Sequence, residues 1–263
     1  MLLIDQHWQE RIVFPQSCKK VKNVFVIKAE NSSALSSRVR RDDRVEGANA
    51  AALLLPSRQD VLGFRKVWGV SVGKVVLTFS MSLDGFIAGP DISLENAMGV
   101  GGERLHKWMF HGGPENAIDL GMARELLLKV GAVVLGRRTY DVGLQHWGDT
   151  PYPVPSFVVT HEKLGKLEME SAAFTFVSEG VAEALKQAQA AAAGKVIIVM
   201  GANVAQQMLK EKLADEVYIQ LVPVLLGSGS RLFENFGPAP LELICDRAVN
   251  SPHITHLKYK IPK

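Results

Sequence analysis

The chain reads as one α/β domain, a mostly parallel central sheet with helices on both faces and an antiparallel C-terminal edge. Three observations predict it. Short, continuously apolar runs such as Val75-Val76-Leu77, Ala132-Val133-Val134-Leu135 and Val196-Ile197-Ile198-Val199 have the composition of strands buried on both faces. Amphipathic or alanine-rich segments separate them, as crossover helices of a parallel sheet do. The last two strand-like segments, near Leu241–Cys245 and Ile254–Tyr259, alternate in polarity with no helix between them, which predicts an antiparallel pair.

The regular pattern starts near Gly73. Val75 to Phe79 is a strand and leads into a Gly/Pro-rich loop from Asp84 to Asp91. Leu105, Trp108 and Met109 mark a short helix. Ile118 to Val130 is expected to be helical, with Leu120, Ala123, Leu127 and Val130 as its apolar stripe. The Ala132 strand runs into Gly136 and a second short helix. Strands follow at Phe157–Val159 and Phe174–Val177. An alanine-rich helix spans Val181 to Ala193 and is closed by Gly194. The Val196 strand meets Gly201, then a helix runs to Leu213. Val217–Leu221 is a strand before a glycine-rich loop.

Residues 1–72 carry no sustained period of 2 or 3.6. They are expected to be a poorly ordered extension, with only a short strand at Val24–Ile27, or the product of a start codon assigned upstream of the true one.

Composition excludes more than it names. The 263 residues are 47% hydrophobic and 22% charged with a net charge of +3, which gives no reason to propose nucleic acid or an anionic membrane as partner. No apolar run approaches the roughly 18 residues of a membrane span. Cys18 and Cys245 are far apart and make neither a zinc site nor a disulfide framework, so the expected location is a reducing cytoplasm. No Gly-x-x-x-x-Gly-Lys-Ser/Thr loop is present, and no Gly-x-Gly-x-x-Gly links a strand to a helix.

Two strand-to-helix junctions carry glycine where α/β sheets bind ligands: Leu135-Gly136-Arg137-Arg138-Thr139 and Met200-Gly201-Ala202-Asn203. A helix N-terminus offers unpaired N–H groups and the positive end of the helix dipole. Paired arginines add donors suited to a phosphomonoester. Each junction taken singly reads equally as a plain turn.

Ser80-Met81-Ser82-Leu83-Asp84-Gly85-Phe86-Ile87-Ala88, Gly136-Arg137-Arg138-Thr139-Tyr140, Gly201-Ala202-Asn203, and Leu213 to Val217 followed by Pro223 to Gly227, occur in the order of one known family. The set resembles the reductase domain of bifunctional riboflavin-biosynthesis deaminase-reductases and their stand-alone relatives, which share the dihydrofolate-reductase-like fold. The resemblance covers Gly73–Lys263 and implies an NADPH-dependent reductase acting on a small planar heterocycle, pyrimidine- or pterin-like, and a homodimer. It implies that Gly136, Arg137, Arg138 and Thr139 meet the phosphates of the adenosine half. By the same resemblance Thr160 and His161 flank the adenine, Gly201, Ala202, Asn203 and Val204 hold the pyrophosphate, and Ser80, Ile87 and Ala88 line the nicotinamide side. The proton that must follow a hydride is assigned by the same resemblance to Asp119, with Asp84 as runner-up. Asp119 reads equally as a first-turn helix acid, and Asp84 as half of an Asp-Gly turn. Trp108 and Trp147 are either substrate platforms or core. The chain departs from riboflavin-pathway reductases at Val199-Met200, where those carry a substrate-binding glutamate. It also lacks the His-x-Glu and Pro-Cys-x-x-Cys ligands of the zinc deaminase half. A nucleotide-binding module without turnover is the alternative that the clustered arginines fit equally.

Overall fold

A computed structural model describes residues 73–111 and 114–262. The expectations for residues 1–72, including the Val24–Ile27 strand, lie outside the described residues.

The described chain forms β1 (Val75–Ser82), β2 (Phe86–Ala88), a 3₁₀ helix (Gly102–Phe110), α1 (Ala117–Leu127), β3 (Val130–Gly136), α2 (Arg137–Trp147), β4 (Ser156–Val159), β5 (Leu167–Glu168) and β6 (Ala173–Val177). Then come α3 (Val181–Ala192), β7 (Val196–Met200), α4 (Ala202–Lys210), β8 (Glu216–Val222), β9 (Ser230–Arg231), β10 (Ile244–Asn250) and β11 (Thr255–Lys260). Nine strands make one sheet in the order β10-β11-β8-β1-β7-β3-β4-β6-β5. The six from β8 to β6 are parallel to their neighbours. The C-terminal edge β11–β10 is antiparallel, as the alternating pattern predicts. A second antiparallel edge, β5 on β6, is a two-residue strand that carries no readable period.

The two faces of the sheet differ. Inward residues of β1, β3, β7 and β8 (Leu77, Val134, Val199, Ile219) pack with Ala184, Leu185 and Ala188 of α3 and Val204 and Met208 of α4 in an apolar core. These α3 positions recur at the three- and four-residue spacing of a helix stripe. The opposite face is covered by α2 through Tyr140 over Val133, Leu135 and Ile198, and by the 3₁₀ helix through Leu105 and Trp108 over Val222.

Helix α1 corrects the sequence reading. It stops at Leu127, and Val130 belongs to β3, where it pairs with Val196. Leu120 and Leu127 of the expected stripe are exposed, as are Ile118 and Leu128, whereas Asp119 is fully buried. The inward positions are 119, 122, 123 and 126, so the helix is turned to seat a carboxylate, and its outward face keeps Leu120 and Leu127.

Candidate active site

The carboxyl ends of β3 and β7 lie side by side, Leu135 in register with Met200. Both strands therefore deliver their helices to the same place. Neither N-cap, Gly136 nor Gly201, is capped by a side chain, so the first-turn N–H groups of α2 and α4 have no side-chain acceptor. Gly201 has φ +93°, and a Cβ there would lie 2.6 Å from Thr139 Oγ1. A Cβ on Gly136 would lie 3.3 Å from Val204 Cγ2. Two helix dipoles thus converge beside a bare backbone. Asn203 turns its Oδ1 to accept from Gln207 Nε2 at 2.5 Å, and Val204 is buried in the core, so what this turn offers a ligand is its backbone.

The two arginines are not equivalent. Arg137 donates through Nε to Asp141 and through Nη1 to Glu162, each at 2.7 Å. The bonds to Asp141 and then Glu162 push its guanidinium further into the charged state. Arg138 is exposed and makes one long bond, 3.4 Å, to Ser230 Oγ. Glu162 ties the loop that follows β4 to α2. Thr160 is buried, and its Oγ1 accepts from the Glu162 N–H in the strand-ending turn; His161 is exposed.

Asp84 is a structural clamp. Its Oδ1 accepts from Ser82 Oγ (2.6 Å) and the Leu226 N–H (3.1 Å), and its Oδ2 from the Gly227 N–H (2.7 Å). The Ser82 bond, followed by the two backbone bonds, holds its carboxyl down to about 2 and so favours the ionised form. The clamp seats the glycine-rich loop on the turn between β1 and β2, and β2 pairs with β9. Gly229 packs so tightly on the Ala88 carbonyl that no side chain fits there. Ile87 and Ala88, both half-buried, are placed by this second, two-stranded sheet.

Asp119 and Ser80 are connected through His256 and Trp108. Asp119 Oδ1 is 2.8 Å from His256 Nε2, and Oδ2 accepts from Ser251 Oγ at 2.9 Å. His256 Nδ1 is 2.7 Å from the Tyr218 hydroxyl. Trp108 Nε1 donates to Ser80 Oγ (3.1 Å), and its ring stands edge-on to His256 with centroids 6.0 Å apart. Trp108 is therefore a core residue that links the two sites and no exposed platform. Trp147 lies over Gly143, where an added Cβ would collide with its ring. Tyr218 and Gln220 sit across from Thr78 and Ser80 in the β1–β8 register, and Gln220 Nε2 donates to Thr78 Oγ1 at 3.2 Å. His256, Tyr218 and Ser251 were not singled out by motif. The signal was there in β8, where Tyr218 and Gln220 alternate with Val217, Ile219 and Leu221.

The model of the RibD C-terminal domain family matches residues 73–253. The chain belongs to that family. Its family and its dihydrofolate-reductase-like fold are those of a reductase of the riboflavin type. It is 28% identical over 162 residues to the uncharacterized protein YwjB of Bacillus subtilis strain 168, spanning 61% of this chain and 82% of that one. A protein of Shewanella sp. PV-4 assigned to riboflavin biosynthesis superposes with a TM-score of 0.57 at 26% identity, covering 72% of this chain and 99% of its own. The Thermotoga maritima diaminohydroxyphosphoribosylaminopyrimidine deaminase/5-amino-6-(5-phosphoribosylamino)uracil reductase shares the fold, with a TM-score of 0.52 at 14% identity. The match covers 72% of this chain but 57% of that bifunctional one. Among the described residues, no group of three or more His, Cys, Asp or Glu is placed to hold a metal ion, and no helix is long and apolar enough to cross a membrane.

Proposed function

We propose that this chain is an NADPH-dependent reductase of a small planar heterocycle, pyrimidine- or pterin-like. The observation that carries the reading is the pair of uncapped helix N-termini at Gly136 and Gly201, side by side and flanked by Arg138. The bare Gly201 backbone and the open N–H groups suit a pyrophosphate, and Arg138 suits the extra phosphate of NADPH. Thr160 and His161 would border the adenine, and Ser80, Ile87 and Ala88 the nicotinamide. When bound, the reduced nicotinamide supplies the hydride. The chain supplies the proton from Asp119 or through a water that Asp119 orients, on the face where Ser80 and Asp119 are linked by Trp108 and His256. Met200 stands at the end of β7 next to Leu135, which leaves the riboflavin-pathway glutamate without a counterpart and the substrate open within that class.

The domain is proposed to begin at Gly73, where the family match also begins. A cytoplasmic setting suits the exposed free thiol of Cys245. A homodimer through β10 is proposed because this edge strand is exposed along nearly its whole length.

The deciding experiment is a panel of pterins and aminopyrimidines with NADPH and with NADH, read as loss of nicotinamide absorbance. Turnover with NADPH preferred supports the proposal, and Asp119→Asn should then slow the hydride step by ten-fold or more with little change in NADPH affinity. Tight NADPH binding with no oxidation across the panel would make the chain a nucleotide-binding module instead.

A further inference from the structure

We infer that Gln206 of α4 is a positioning residue for the hydride step: its side chain sets where the β2–β9 ribbon, and with it Ile87 and Ala88, stands relative to the Gly201 turn. The inference rests on the reading of that turn and that ribbon as two parts of an NADPH site. The buried residues of α4 are Val204, Ala205, Gln206, Met208 and Leu209, and Gln206 is the one polar member of that set. A buried amide is costly without a partner. Gln206 Nε2 donates to the Arg231 carbonyl of β9 at 3.0 Å. A methionine would fill a similar volume with no partner at all. What the glutamine adds is direction.

The ribbon needs such a contact because it is short. β2 has three residues and β9 two, with an irregular register between Phe86 and Ala88. A two-stranded ribbon of that size has little stability of its own, and its place follows from what pins it. Two pins tie it to the turn before β2: the Asp84 carboxylate holds the Leu226 and Gly227 N–H groups, and Arg231 Nη1 donates to the Asp84 carbonyl at 2.8 Å. The Arg231 guanidinium also stands 4.2 Å over the Phe86 ring, within the ribbon itself. Leu232 is fully buried in the core with α3 and α4, an apolar contact without direction. Arg138 reaches Ser230 Oγ from α2, but at 3.4 Å on the exposed surface. Gln206 supplies a shorter bond from a buried side chain on α4.

Gln206 is four residues after Ala202, so it lies one turn along from the first residue of α4 and on the same side of the helix. The rise between them is about 6 Å. One turn of helix therefore separates the N–H groups proposed for the pyrophosphate from the bond that holds β9. β9 in turn pairs with β2, where Ala88 is in register with Ser230. Hydride transfer demands that placement, because a misplacement of about 1 Å at the reacting atoms can cost about 10²-fold in rate. Binding demands it less, because the proposed phosphate contacts lie on α2 and α4 and do not pass through the ribbon.

The test uses the full-length protein with Gln206→Met and Gln206→Glu. Without ligands, amide hydrogen exchange at Phe86–Ala88 and at residues 230–232 should be about five-fold faster in Gln206→Met, the worth of one such hydrogen bond, with the β7 amides exchanging as in wild type. Ribbon exchange at the wild-type rate overturns the proposal. With a substrate from the panel, Gln206→Met should slow single-turnover hydride transfer at least ten-fold, with Kd for NADPH within two-fold. Gln206→Glu should be equally slow at pH 8, where its carboxylate cannot donate, and should approach the wild-type rate as pH falls and the protonated carboxyl donates to the Arg231 carbonyl. An unaltered hydride rate in Gln206→Met, or a loss of rate matched by an equal loss of NADPH affinity, overturns the proposal. If the ribbon loosens as described while the wild type oxidises no NADPH across the panel, the reductase reading is what fails.

Discussion

Gly201→Ala is the sharpest test of how the proposed cofactor turn is built. Glycine is required there twice over. Its φ of +93° with ψ of 134° lies in a region that residues with a Cβ rarely occupy, at a cost of order 1–3 kcal/mol. The added methyl would also sit 2.6 Å from Thr139 Oγ1, on a short β-branched side chain with little freedom to move away. Overpacking of this kind costs about 1 kcal/mol or more. The sum is about 3 kcal/mol, which for a domain of this size lowers Tm by roughly 6–12 °C. Urea unfolding of the ligand-free protein measures it without any contribution from cofactor. Thr139→Ala in the Gly201→Ala background should recover about 1 kcal/mol, leaving the backbone cost in place, so the two substitutions couple. A Gly201→Ala protein within about 0.5 kcal/mol of wild type would refute the reasoning, because neither the backbone conformation nor the close approach would then be held in solution.

Three further outcomes are expected. Arg138→Ala should weaken NADPH by ten-fold or more and NADH little, while Arg137→Ala should loosen the β4–α2 junction and affect both cofactors alike; fluorescence titration distinguishes them, and equal losses from Arg138→Ala would remove it as a phosphate reader. The depressed Asp84 carboxyl contributes stability that is fully present above about pH 4 and lost as pH falls toward its folded value of about 2, so Asp84→Asn should flatten that part of the pH–stability curve; an unchanged curve would deny the clamp. Ala248→Pro on β10 should convert a dimer to a monomer in sedimentation velocity if this edge pairs between subunits, and an unaltered sedimentation coefficient would place the interface elsewhere.

The parallel core was legible because β3 and β7 are apolar throughout and have no other stable location. The two-residue strands β5 and β9 were not, since a period of 2 cannot show in two residues. Helix α1 was misread for a physical reason. A stripe argument assumes that apolar residues face the core, but here Ile118, Leu120, Leu127 and Leu128 face outward and a carboxylate faces in. The two glycine junctions proposed for the cofactor were visible as Gly136 and Gly201 on two strand ends, although not that one arginine of the pair is already occupied by Asp141 and Glu162. Those partners come from one turn further along α2 and from a different loop, and no local motif joins them. Asp84 was visible as an Asp-Gly turn, whereas its bonds to Leu226 and Gly227 span more than 140 residues of sequence.

The contrast between the two faces of the sheet carries the functional weight. Under α3 and α4 the strands turn Leu77, Val134, Val199 and Ile219 into an apolar core. Under α1 the same strands present Thr78, Ser80, Tyr218, Gln220 and His256, and the covering helix adds Asp119. Folding alone does not call for this. Apolar residues of similar volume commonly stabilise a domain as well as or better than a buried ionic or polar group. Each of these groups also obliges a neighbour to pair with it, as Trp108 does for Ser80 and Ser251 for Asp119. This polar row is the part of the sheet that the proposed reduction would draw on. The row reaches from β11 to β1, and β1 lies next to β7, whose end carries Gly201. The proposed proton source, Asp119 of α1 bonded to His256 of β11, and the proposed cofactor turn at the end of β7 are thereby carried by one sheet.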